Sequence, residues 1–147
     1  KTFYAACIAN ALIDKGIPVI MTTIPKLTAS MQRDFGENRE AVLSTVADIP
    51  LLILDDVGIE RDTEFGMESA YEIVNTRYKA KKPLIVTTNL TPTVFTETED
   101  TVHKRIYDRL TEMCAPMRVT TKGRRLGMAK DKMARMMEQF GMAGGKR

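Results

Sequence analysis

The fold turns on Pro50-Leu51-Leu52-Ile53-Leu54-Asp55-Asp56-Val57-Gly58. Large aliphatic residues in an unbroken run, with no polar alternation, belong to a strand covered on both faces, as in parallel sheets held between helices. Two carboxylates follow at once. In open α/β sheets ligands bind beyond the carboxyl ends of the strands, so Asp55 and Asp56 stand where chemistry is done. Such a pair can hold a Mg2+ ion through its water shell and orient an attacking water. Aspartate is equally at home in the turns that end strands, and residue type alone does not separate the two readings.

Working outward, helical and strand patterns alternate. Upstream, Ala5, Ala6, Ile8, Ala9, Leu12 and Ile13 recur at helical spacing between Thr2 and Lys15, with Gly16 as a stop. Ile17 to Met21 reads as a short strand, and Pro18 places it at a sheet edge, since proline cannot donate to a ladder. Pro25 opens a helix carrying Leu27, Met31 and Phe35 and closed by Gly36; a further helical stretch carries Val42, Leu43, Val46 and Ala47. Downstream, Asp62 or Thr63 can cap a helix whose inner face is Met67, Ala70, Tyr71, Val74 and Tyr78. Lys81-Lys82-Pro83 ends it, and Leu84 to Thr88 is the next strand. A helix with Val102, Ile106, Leu110 and Met113 follows, then a short strand over Pro116 to Thr120 and a last helix lined by Met128, Met133, Met136, Met137 and Phe140, which core packing explains better than a contact surface. The order predicts an α/β protein with a mostly parallel sheet. Residues 1–140 form its core and 141–147 a disordered tail.

The 147 residues suffice for one domain, and 44% apolar with 28% charged residues is a soluble globular balance. The longest uncharged apolar run, Ile49 to Leu54, is far short of the roughly 20 residues of a membrane span. Cys7 and Cys114 are isolated thiols, which suits a reducing cytoplasm better than a disulfide scaffold. A net charge of +3 permits nucleic-acid contact without arguing for it. The bases crowd the last quarter, from Lys122 to Arg147, as a solvated helix face or a polyanion surface.

Three further groups bear on chemistry. Asn89 ends the strand after the acid pair, where an amide can hold water or touch a phosphate. Arg105 and Arg109 are one helical turn apart, on a solvated face or within reach of a neighbouring subunit's phosphate. Lys1-Thr2 leads straight into a helix and matches the last two positions of the phosphate-loop pattern G-x-x-x-x-G-K-[ST].

Together these stretches resemble the AAA+ ATPases of the bacterial and phage helicase-loader family, the DnaC type, with the IstB-type transposition helper ATPases close by. Leu51 to Gly58 is similar to their Walker B segment, and Glu60 to Phe65, Arg77-Tyr78 and Lys82 to Leu90 to the stretch ending in their sensor 1 asparagine. Arg105-Ile106-Tyr107-Asp108-Arg109-Leu110 resembles their arginine-finger segment, and Gly123-Arg124-Arg125 their sensor 2 region. The resemblance implies a P-loop, three-layer α/β fold with a reduced helical lid and its first strand absent. It implies that Lys1 contacts the outer phosphates of ATP, that Thr2 and Asp55 hold Mg2+, that Asp56 polarises the attacking water, and that Asn89 senses the γ-phosphate. Arg109 would act on the ATP of the next subunit of a homo-oligomer, and Arg125 would lie near the nucleotide. Thr23 and Lys26, with Thr22, fall where such loaders approach single-stranded DNA, and a replicative DNA helicase would be the partner. The loop glycines precede Lys1, so a piece beginning there is expected to be poorly stable and to bind ATP or ADP weakly alone.

Other readings use the same residues. A phosphoacceptor receiver domain has its acid pair after the first strand, and here a strand and three helical stretches precede Asp55. A non-catalytic adaptor has no physical need of Asp55, Asp56, Asn89 and Arg109 together. A transposition helper shares the chemistry and differs only in partner.

Overall fold

The computed structural model describes residues 1–33, 37–58, 63–120, 132–133 and 136. The chain divides into two units, Lys1–Pro116 and Met117–Arg147. The first holds helix α1 (Thr2–Ile13), strand β1 (Val19–Thr22), α2 (Ile24–Gln32), α3 (Glu37–Asp48), β2 (Leu51–Val57), α4 (Glu64–Ala80), β3 (Leu84–Thr88), α5 (Pro92–Glu97) and α6 (Thr101–Met113).

The strands form a parallel sheet in the order β1-β2-β3. Its middle strand is β2, the aliphatic run, with Leu52, Ile53 and Leu54 fully buried. The pleat divides its side chains between two cores. Leu51 and Ile53 pack with Ala5 and Ala9 of α1. Leu52 and Leu54 pack with Ile24, Met31, Val46, Ala70, Ile73, Val74, Ile106 and Leu110, from α2, α3, α4 and α6. Helices therefore cover both faces of the sheet, as the sequence pattern predicts, and β1 occupies an edge immediately after Pro18.

Several expectations shift in detail. On α1 the contact is made by Ala5 and Ala9, which are buried and let the helix approach the sheet closely, with Leu12 packed beside them, while Ile8 and Ile13 are exposed. On α4 the buried face is Ser69, Ala70, Ile73, Val74 and Arg77, so Tyr78 is not a core residue. The fully buried Arg77 guanidinium donates to the carbonyls of Val46 (2.9 Å), Ile49 (2.8 Å), Pro50 (3.2 Å) and Pro83, and burial lowers its pKa. Thr63 caps α4, its hydroxyl accepting from Gly66 N at 3.1 Å. Helix α5, which the sequence reading lacked, begins at Pro92 after Thr91. The Asp100 carboxylate caps α6 by accepting from the Val102 and His103 amides, and these bonds together with the His103 side chain lower its pKa.

The strand expected over Pro116 to Thr120 does not form: these residues are irregular, and Met117 is 86% exposed. Met133 and Met136 are exposed rather than core. Phe35, Gly36, Asp62, Met128, Met137, Phe140 and the tail 141–147 lie outside the described residues.

Candidate functional site

In a parallel sheet all carboxyl ends share one edge, so Thr22, Asp55 and Thr88 are brought to the same side of the molecule. The acid pair is set there by an irregularity in β2. Leu54 pairs with Val86 and Val57 with Thr88, so Asp55 and Asp56 together oppose the single residue Thr87. This is a β-bulge, a device that re-aims side chains at the rims of sheets. Asp56 takes the left-handed conformation there, with φ 54°, a backbone region that costs a non-glycine residue energy and recurs at functional sites.

Thr87 holds the bulge together. Its hydroxyl donates to Asp55 Oδ1 and accepts from the Asp56 amide at 3.0 Å. The same Asp55 Oδ1 accepts from the Thr2 hydroxyl at 3.0 Å, which ties the start of α1 to the end of β2. Beside it, the Lys1 ammonium donates to the Thr88 carbonyl at 2.6 Å and to the Asn89 side-chain oxygen. The Thr88 hydroxyl donates to the Val57 carbonyl at 2.6 Å and accepts from Leu90 N at 3.0 Å, fixing the turn that carries Asn89. Gly58 closes the other side. Its φ of +100° favours glycine, and a Cβ there would meet the Leu90 side chain at 2.5 Å.

The structure thus brings Lys1, Thr2, Asp55, Asp56 and Asn89 to one edge of the sheet. The donor set fits a metal-bound polyphosphate: the Thr2 hydroxyl bonded to the Asp55 carboxylate, with the Lys1 ammonium beside them on Thr88 and Asn89, at the N-terminus of a helix whose dipole favours anions. Thr23 and Lys26 lie on the same side, at the start of α2 one strand over, with Lys26 exposed and Thr23 capping the helix through Lys26 N at 3.4 Å.

Arg109 makes a different set of contacts. Its guanidinium lies over the Tyr71 ring (4.7 Å) and the Tyr78 ring (5.6 Å), and donates to the Tyr71 hydroxyl at 3.0 Å and to the Arg105 carbonyl at 3.2 Å. The Glu112 carboxylate beside the Tyr78 hydroxyl raises that phenol's pKa. Arg105 is exposed on the same helix. Arg125 lies outside the described residues.

Sequence reasoning missed Thr87 and Tyr71. Thr87 had one available signal, its place at the end of the strand beside the acid pair. For Tyr71 the signal was its spacing of two helical turns from Tyr78, which puts both rings on one side of α4.

A family model described as IstB-like ATP binding protein matches residues 1–133. The replicative helicase loader DnaC of Escherichia coli (strain K12) is 26% identical over 113 residues, which cover 75% of this chain and 45% of that protein. The replicative helicase loader DnaI of Bacillus subtilis (strain 168) is 26% identical over 136 residues, 85% of this chain and 44% of that one. The crystal structure of the DnaC helicase loader superposes with a TM-score of 0.65 at 26% identity, over 78% of this chain and 68% of that chain. The chain spans about half the length of the curated relatives it matches.

Proposed function

The chain belongs to the IstB-like ATP-binding family, of the DnaC type, and from that premise we propose that it is the ATPase core of a helicase loader for DNA replication. The observation that carries the proposal is the bonded set of Thr2, Asp55 and Thr87 beside Lys1 and Asn89, at the carboxyl edge of the sheet and the start of α1.

In this reading Lys1 binds the outer phosphates of ATP, and Thr2 and Asp55 hold Mg2+. The metal supplies charge neutralisation of the polyphosphate. Asp56, aimed by the bulge, accepts a hydrogen bond from the attacking water and polarises it. Asn89, placed by the Thr88 turn, contacts the γ-phosphate or that water; its bond to Lys1 is the contact that nucleotide replaces. Arg109 completes the site of the next subunit in a homo-oligomer, and Arg125 is the second arginine assigned to nucleotide binding. Thr23 and Lys26 contribute to a surface for single-stranded DNA, and the replicative DNA helicase is the partner whose loading turnover controls. A transposition helper would share this site, and the family description keeps it as the second reading. The names of the DnaC and DnaI relatives favour the loader.

The test is ATP hydrolysis by the full-length protein, with and without single-stranded DNA, alongside Asp56→Asn and Arg109→Ala. We expect turnover to fall about 10²–10⁴-fold in the first and about 10³–10⁵-fold in the second. A folded parent without turnover under both conditions would replace the ATPase with a non-catalytic adaptor.

A further inference from the structure

The Arg109 guanidinium is more constrained than an arginine on a solvated helix face. It is clamped between an α4 phenol and its own helix, with Nη2 on the Tyr71 hydroxyl, Nη1 on the Arg105 carbonyl, and Tyr71 and Tyr78 beneath it. Nε is buried without a hydrogen-bond partner, so the outer amino groups carry the remaining donors. An arginine side chain has several rotatable bonds to freeze before it can form a fork with a phosphate, and prior packing removes part of that cost.

We infer that Tyr71 is a positioning residue for Arg109: its ring and hydroxyl hold the guanidinium in one orientation, ready for a phosphate presented by a neighbouring subunit. The inference rests on the reading of Arg109 as the residue that acts between subunits. The two tyrosines divide the work. Tyr71 supplies both a cation–π face and a hydrogen bond, whereas the contact of Tyr78 with the guanidinium is through its ring face. Removing the Tyr71 hydroxyl alone therefore leaves the stacking in place and releases one end of the fork.

Three changes in the full-length ATPase test this: Tyr71→Phe, Arg109→Ala, and the two combined. Tyr71→Phe should lower kcat about three- to tenfold, the size of one released hydrogen bond, with the KM for ATP and the urea midpoint unchanged. In the Arg109→Ala background Tyr71→Phe should have no further effect, since a positioning residue has nothing left to position. Parental kcat in Tyr71→Phe, beside a large loss in Arg109→Ala, would overturn the positioning role and leave the intersubunit arginine standing. An equal loss on adding Tyr71→Phe to Arg109→Ala would overturn it too, by showing that the phenol acts through the fold. Parental turnover in Arg109→Ala would remove both.

Discussion

Asp55 Oδ1 accepts from two threonines that reach it from different elements, Thr2 at the start of α1 and Thr87 at the end of β3. Thr87 has a second task, because its oxygen is also the acceptor for the Asp56 amide in the bulge. Replacing it with valine keeps the shape and removes both bonds. Thr87→Val should then cost about 1–2 kcal/mol in urea unfolding, as the Asp56 N–H loses its partner, and lower ATP turnover about 10–100-fold, the usual effect of losing a residue that orients a ligand. Thr87→Ser should stay near the parent. A valine variant with parental turnover would mean that the backbone of the bulge aims both acids unaided. The two carboxylates were legible from the sequence because strand ends in α/β sheets gather function. The bulge was not, since it depends on the register between Leu54–Val57 and Val86–Thr88, and register is a property of two strands.

At the scale of elements, strands and most helices were legible because each carried its own signal: an unbroken aliphatic run in β2, Pro83 before β3, a capping Thr63 before α4. Which face of a helix is buried was less so. Arg77 has the residue type of a surface and the position of a core, on the line of Ala70, Ile73 and Val74. Its partners are the last carbonyls of α3 and the residues that lead into β2 and β3, so one side chain fastens four segments on the edge of the sheet opposite the acid pair. Arg77→Ala would take the side-chain donor from the Val46, Ile49 and Pro50 carbonyls, leaving that of Pro83 with the Leu52 amide, and should cost about 3–5 kcal/mol, the range for breaking a buried charged network. Arg77→Lys should recover little, since a compact ammonium cannot match the spread of a guanidinium fork. Urea melts of the three proteins decide it: a loss below about 1 kcal/mol in the alanine variant would show that the carbonyls find other donors. The strand expected at Pro116–Thr120 teaches the converse: residues of strand-like type do not make a strand by themselves, because β-propensity is a preference that depends on context.

At the scale of the whole molecule, the bonded site at the sheet edge holds an ammonium, a hydroxyl, two carboxylates and an amide, while Arg109 is engaged with α4 of its own chain. If Arg109 completes the site of a neighbour, the acid pair and the arginine of one working site belong to different copies. Two inactive variants should therefore repair each other. In a mixture of Asp56→Asn and Arg109→Ala subunits, a site is intact wherever a subunit that keeps Asp56 sits beside one that keeps Arg109. For equal amounts, random assembly and independent sites, about a quarter of the interfaces in a closed ring meet that condition. Mixing the two variants should then restore about a quarter of parental turnover, with a sigmoid dependence on total protein because assembly precedes hydrolysis. An arginine acting within its own subunit predicts no recovery at any ratio, because every copy in the mixture then lacks one of the two groups. The measurement thus separates a motor whose sites are shared between subunits from one whose subunits work alone, and it does so with variants that keep the sheet, the helices and the Arg77 fastening untouched.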